Sequence, residues 1–275
     1  MRFRYRTRTF LFELMMIAAA VVFLFPVYVL VVLSLKSPME ISEGGLGLPD
    51  ELVTSNYGDA WSGATLGPAF LNSLVIAVTS LLLLIVVGSL VSYYLARTKS
   101  RLGYGMFILF LVGIVLPFQL AMVPLYRMMG DLELIGNPVS LIAFYVGLQL
   151  PLTVFLYTGF LRALPSDYGE AALIDGANHL QSFLKVTFPL LRPITGTVVI
   201  LNVVFVWNDF LTPLLYLGGS PNETIPVVVY QFVGQYHSDW GLVSAAVVLA
   251  TAPILLLFLF LQRYVIKGFA SGLRG

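Results

Sequence analysis

Six long apolar runs, parted by short polar stretches, account for most of this chain: about residues 10–35, 69–96, 106–126, 138–162, 193–217 and 241–265. Each is long enough to cross about 30 Å of hydrocarbon, which takes roughly 20 residues of helix. Backbone inside such a layer has no water to pair with, so runs of this kind predict α-helices. Pro26 predicts a kink in the first run, and Pro117, Pro124 and Pro151 predict irregularity in the third and fourth. The pattern divides the chain in two. Residues 1–67 hold a basic N-terminal segment, the first run and a loop rich in Gly, Pro, Ser and acids, with a short helix near "NYGDAW"; residues 68–275 hold a five-helix core interrupted by a polar loop at 163–192.

Charge gives the runs a direction. Thirteen of the fifteen bases fall on one side: Arg2, Arg4, Arg6 and Arg8, then Arg97, Lys99 and Arg101, then Arg162, Lys185 and Arg192, then Arg263, Lys267 and Arg274. Only Lys36 and Arg127 lie opposite, in loops that carry nine of the fourteen acids. Cytoplasmic loops hold the excess of Lys and Arg, so both termini are predicted to be cytoplasmic. The first run is longer than the roughly 7–15 residues of a signal-peptide core, and no small-residue cleavage site follows it, so it reads as an uncleaved anchor.

Composition agrees with this pattern. The chain is 59% hydrophobic and 11% charged, against about 25% charged in soluble domains. The expected fold class is an all-α integral membrane protein with six transmembrane helices. A net charge of +1 with no basic face offers nothing to nucleic acid, and the absence of cysteine removes disulfides, thiolate catalysis and Cys-based metal sites.

The loop 163–192 is the longest predicted cytoplasmic segment. Asp167 is placed to cap a helix over about 168–175, with Glu170 three residues on, and Gly176 is placed to end it in the left-handed conformation. Asn178 with Gln181 begins a second helix, whose Leu180, Phe183, Leu184 and Phe188 form one oily face before Pro189 and Pro193 break it. The pair could rest on lipid headgroups. However, a surface-lying helix carries Lys or Arg on its polar face. The first helix has only Glu170 and Asp175, and its small pair Ala171 and Ala172 suits the close approach of a protein groove.

Polar side chains inside apolar runs either face a cavity or tie helices together. Gln119, Gln149, Asn202, Trp207, Asn208 and Asp209 are the candidates for a solute pathway. Asn202 and Asp209, seven apart, would share a helix face. Amide, carboxylate and aromatic groups are what a sugar's hydroxyls and faces require. Interhelical hydrogen bonding is the competing reading for each.

No phosphate-binding loop, metalloprotease motif or nucleophile elbow is present. His179 and His237 fall on opposite sides of the membrane and share neither a metal nor a proton relay. The chain is therefore expected to be a transport subunit and not an enzyme. An ion-gradient-driven transporter is the alternative, and an intramembrane enzyme lacks its nucleophile and base.

"EAALIDGANHLQSFLKVTFPLLRP" (170–193) resembles the EAA signature of the permease subunits of bacterial ABC importers: Glu-Ala-Ala, three residues, Gly, nine residues, Ile-x-Leu-Pro. Glu170, Ala171, Ala172, Gly176 and Pro189 are in register, with Val186 in place of Ile and Phe188 in place of Leu. "NSLVIAVTS" (72–80), "PLYRMMGDLELIGNP" (124–138), "WNDFL" (207–211) and "QRYVIKGFASGLRG" (262–275) are similar to the carbohydrate-import branch, the maltose-type permeases.

The resemblance implies a type I importer permease fold in the bacterial inner membrane. It implies a coupling helix at Glu170, Ala171, Ala172, Asp175, Gly176 and Pro189 that docks on cytoplasmic ATP-binding subunits, two copies in all. A second homologous permease and an extracellular or periplasmic binding protein complete the assembly. ATP and Mg would be bound by those partners, with no cofactor or metal on this chain, and the solute would be a sugar, a di- or oligosaccharide. The tail, with Gly268, Ser271 and Gly272 keeping it extended, would reach toward the ATPase dimer or else be a plain polar tail.

Overall fold

The computed structural model describes residues 7–44, 46–63, 65–165, 167–235 and 239–272, and all regular structure among them is helical. In chain order the helices are α1 (Thr7–Ser34), α2 (Pro38–Ser42), α3 (Ser55–Gly63), α4 (Leu66–Arg97), α5 (Arg101–Val115), α6 (Met122–Asp131) and α7 (Pro138–Ala163). There follow α8 (Asp167–Ile174), α9 (His179–Ser182), α10 (Phe188–Leu190), α11 (Arg192–Asn208), α12 (Leu211–Leu217), α13 (Ile225–Gln235) and α14 (Trp240–Gly272).

Four of these, α1, α4, α7 and α14, are by themselves long and apolar enough to span a membrane, and the number rises to six if each of two bent helix pairs is one span. The bends are where the sequence pattern misleads. The third apolar run is not one helix. α5 stops at Val115, Leu116 and Pro117 are extended, a 3-10 turn follows at Phe118–Ala121, and the two arms meet at 92°. Proline disfavours helical backbone in the residue before it, which places the break at Leu116. The fifth run also divides: α11 ends at Asn208, Asp209 is extended (φ −67°, ψ 126°), and α12 starts at Leu211. By contrast, α1 and α7 continue through Pro26 and Pro151.

Two compact units share the helices, one formed by residues 1–67 with 228–252 and the other by 68–227 with 253–275. In the first unit α1 is apolar on all sides and nearly bare; only 6% of its most apolar window is buried. A helix hydrophobic all round needs lipid or a partner helix as its surroundings. Its C-terminal end is fixed by side chains. Asn56 Nδ2 donates to the carbonyls of Ser34 and Lys36, both at 3.0 Å, and the buried Lys36 pairs with Glu40 at 3.0 Å. Backbone oxygens at a helix end lack internal partners, and the amide of Asn56 satisfies them.

In the second unit the core gathers around α7. Leu141, Phe144 and Tyr145 pack with Val203 and Val206 of α11 and with Tyr216 and Leu217 of α12. A further cluster joins Tyr157 and Leu161 to Leu191, Ile194 and Val198. Lipid tails are as apolar as Leu, so close packing and interhelical hydrogen bonds hold these helices together. Accordingly α4 approaches α7 at a small residue: a Cβ on Gly88 would lie 2.5 Å from Thr153 Cγ2, and Ser92 Oγ donates to the carbonyl of Val154.

Candidate functional site: the exposed loop helix and the broken span

The 163–192 segment folds largely as its caps dictate. α8 covers Asp167–Ile174 and ends in a glycine-closed turn: Gly176, at φ +89°, donates to Leu173 O, and Ala177 N donates to Ala172 O. That bond pair is the Schellman closure, which needs a left-handed residue at the position of Gly176. Ala171 O accepts from Asp175 N, so the Glu-Ala-Ala stretch supplies the carbonyls that close its own helix. Asp167 is the first helical residue and not the cap, because the helix begins one residue earlier than its capping pattern suggests. Ser166 lies outside the described residues. Asn178 and Gln181 form a reciprocal capping box that starts α9.

The second helix departs from expectation. Phe183–Thr187 is a π turn, in which Phe188 N donates to Phe183 O. Proline clashes with the carbonyl four residues back, and the widened turn relieves this ahead of Pro189, which then lies inside α10. The break falls at Leu191, where the chain bends 73° into α11, and Pro193 sits in the first turn of α11, where it is tolerated. The extra residue per turn also splits the expected oily face. Phe183 is buried against Tyr93 of α4 at 5.1 Å, and Phe188 packs at a tilt against Phe183 at 5.8 Å, while Leu180 and Leu184 stay exposed. Ser182 Oγ donates to Gly169 O and ties α9 to α8.

The outer side of α8 is left uncovered. Tyr168 is 55% exposed and Ile174 85% exposed; Glu170, Ala171 and Asp175 are exposed as well. On its inner side a cleft of about 320 Å³ separates α8 and α9 from the end of α4, bounded by Tyr93, Arg97, Lys99, Glu170, Leu173 and His179.

The candidates inside the spans separate into two kinds. Asn202 is fully buried; its Nδ2 donates to Val198 O at 2.8 Å and to Thr153 Oγ1 at 3.4 Å, so it joins α11 to α7. Gln149 is buried and borders a small cleft with Phe118 and Phe205. Trp207 is buried with its ring edge-on to Phe70 at 5.9 Å. Gln119 is exposed on the 3-10 turn and not on a continuous helix. Beside that turn, a cleft of about 650 Å³ bounded by Leu116, Pro117, Phe118, Phe144 and Pro151 contains none of the polar candidates.

Asn208 and Asp209 differ from the rest because the helix ends there. Asp209 does not share a helix face with Asn202, as a seven-residue spacing would predict, because it is past the last helical turn. Asn208 is exposed, and its Nδ2 donates to Val204 O. Asp209 is half-buried, and its carboxylate joins three helices: Oδ2 accepts from Tyr145 Oη of α7 at 3.1 Å, and Oδ1 accepts from Thr212 N at the start of α12 at 3.4 Å. Tyr145 had no signal in the sequence, being one aromatic among many in an apolar run.

At the C-terminus, α14 runs to Gly272, so Gly268, Ser271 and Gly272 belong to a helix and not to an extended tail. Two glycines cost helix stability but do not forbid it where a long apolar helix precedes them. Residues 273–275 and His237 lie outside the described residues. No group of three or more His, Cys, Asp or Glu that could hold a metal exists among the described residues.

Residues 85–271 match the family model described as binding-protein-dependent transport system inner membrane component. The chain is 39% identical to the melibiose/raffinose/stachyose import permease protein MelC of Bacillus subtilis, over 90% of each chain. It is 32% identical to the probable starch degradation products transport system permease protein AmyC of Thermoanaerobacterium thermosulfurigenes, over 93% of each. It is 33% identical to the diacetylchitobiose uptake system permease protein NgcG of Streptomyces coelicolor, over 94% of this chain and 86% of that one. Its fold matches a bacterial ABC transporter involved in import of the acidic polysaccharide alginate, with a TM-score of 0.79 at 20% identity, covering 94% of this chain and 98% of that one.

Proposed function

The chain belongs to the inner-membrane components of binding-protein-dependent transport systems, and from that premise we propose that it is the permease subunit of an ATP-driven importer of di- or oligosaccharides. The observation that carries the reading is α8: a short helix closed by Gly176, carrying exposed Tyr168 and Ile174 with no base on it. Apolar surface left in water at the end of a membrane bundle calls for a partner. The partner is a cytoplasmic ATP-binding subunit, one of two, into which α8 inserts with Glu170 and Asp175 facing its basic or polar groups. ATP and Mg are bound there and not on this chain. The charge asymmetry of the loops puts α8 and both termini in the cytoplasm.

Support for a sugar comes from the relatives, whose names give melibiose, raffinose and stachyose, starch degradation products, and diacetylchitobiose. A second permease completes the pore, and an external binding protein delivers the solute. In this chain Asn208 and Asp209, at the interruption of α11, are the groups best placed to meet it. Discontinuous helices bring polar backbone and side chains to the pathway of many transporters.

Reconstitution tests the reading. With ATP-binding subunits, second permease and loaded binding protein, Glu170→Lys and Gly176→Pro are expected to leave assembly intact and abolish sugar-stimulated uptake. Normal uptake in both variants refutes docking through α8. Sugar uptake by the purified chain alone, driven by an ion gradient, refutes the importer reading as a whole.

A further inference from the structure

The cleft on the inner side of α8 carries two bases and a histidine that docking does not use. Its α4 wall is Tyr93, Arg97 and Lys99; its other wall is Glu170 and Leu173 of α8 with His179 of α9. The two cations sit on a stiff turn. Thr98 N donates to Tyr94 O, Thr98 Oγ1 donates to Ser100 Oγ, and Ser100 Oγ in turn caps α5 by accepting from Gly103 N. Gly103 has no room for a Cβ against Thr98 Cγ2, which locks the turn further. Glu170 makes no ion pair with Arg97, Lys99 or His179 among the described residues. The two bases outweigh the one carboxylate, and the space of about 320 Å³ between them is cationic.

We propose that this cleft binds a phosphate group between Arg97 and Lys99, with His179 opposite, and that the phosphate belongs to the headgroup of an anionic phospholipid or to a soluble phosphate ester. Three features point to phosphate. The bases stand at the end of a membrane-spanning helix on the side where bases are enriched, which is the headgroup level. Tyr93, one turn inward, and Leu173 give the wall an apolar part for the start of a lipid's glycerol and chains. Basic pockets between spans on the cytoplasmic side are the sites at which anionic headgroups are held. A bound phosphate would bring negative charge between Arg97 and Lys99 and beside Glu170 on the α8 wall, so the ligand would act on α8. Its effect on coupling, and the readout below, rest on the docking role proposed for that helix.

The test uses the whole transporter in vesicles of phosphatidylcholine, with or without phosphatidylglycerol, and separately with inorganic phosphate added to neutral vesicles. The readouts are sugar-stimulated ATP hydrolysis and phosphatidylglycerol retained by the purified complex. Wild type is expected to respond to phosphatidylglycerol and to retain it. Arg97→Gln with Lys99→Gln is expected to assemble but to respond only at higher anionic lipid, the affinity falling about 5-fold per base and roughly 30-fold for both, from about 1 kcal/mol per base near an anionic surface. Arg101→Gln, on the same turn but outside the cleft, should behave as wild type.

Stimulation by inorganic phosphate in neutral vesicles supports the site with a soluble phosphate as its source. A double variant that responds to phosphatidylglycerol as wild type does overturns the proposal. So does one that is equally uncoupled in every lipid, which would make the two bases a contact with the ATP-binding subunit. Absence of any wild-type response to either probe also overturns it. In each of these cases Glu170→Lys still uncouples if docking holds, so the two readings fail separately.

Discussion

Tyr145 Oη donates to Asp209 Oδ2 at 3.1 Å, linking the middle of α7 to the point where α11 stops. The two residues are 64 positions apart in sequence, and the bond holds an intramembrane carboxylate that also accepts from the start of α12.

Removing either partner exposes what the bond does. Tyr145→Phe and Asp209→Ala should each reduce sugar uptake while the complex still assembles. A double-mutant cycle on thermal stability should give a coupling of about 1 kcal/mol, the size of an interhelical hydrogen bond in membranes. A coupling of zero would mean that the contact does nothing.

Asn202 should answer differently. It is fully buried and bonded to Thr153 and Val198, so Asn202→Ala is expected to lower the melting temperature of the complex while leaving the dependence of uptake on sugar concentration unchanged. A shifted concentration dependence with normal stability would return Asn202 to the solute pathway.

Gly88 faces Thr153 Cγ2 so closely that Gly88→Ala forces α4 away from α7, at a cost of about 1–3 kcal/mol for overpacking. Because the atom met is the methyl of Thr153, adding Thr153→Ser should recover most of the lost stability. The recovery is read from melting curves in detergent; its absence would place the strain elsewhere.

In the first unit, a Cβ on Gly241 would lie 2.8 Å from Lys36 O and 3.0 Å from Asn56 Nδ2. Gly241→Ala and Asn56→Ala are both expected to loosen the end of α1, the second by removing the two hydrogen bonds that Asn56 Nδ2 makes there, at about 1–3 kcal/mol. Faster hydrogen exchange at residues 35–37 in both variants is the check.

Gly176 sits at φ +89°, so Gly176→Val should strain the closure of α8 by about 1–3 kcal/mol. The expected result is wild-type membrane insertion with ATP hydrolysis no longer stimulated by loaded binding protein.

Local signals were legible where chemistry is local. Asn178 with Gln181, and Gly176 after Ile174, mark helix ends through bonds made within a few residues, and the structure forms those bonds. The π turn before Pro189 was not legible, because its consequence depends on Phe183 finding Tyr93, 90 positions away. Nor was the loss of the heptad relation between Asn202 and Asp209 legible, since apolar residues continue past the break and hydropathy does not register an extended residue. Tyr145 was invisible because it is one aromatic among many in an apolar run, and its partner lies 64 positions away.

By itself the sequence determined that the chain is helical and membrane-embedded, which way its basic loops face, and where the loop helix closes. Those properties follow from solvation of whole segments and from hydrogen bonds between near neighbours. Only the tertiary structure decided which polar side chains in the spans are fastenings and which stand at an interruption. Burial and pairing across helices are set by chain elements far apart in sequence, so Asn202 was drawn into the packed seam while Asp209 was left at the end of α11, held by Tyr145.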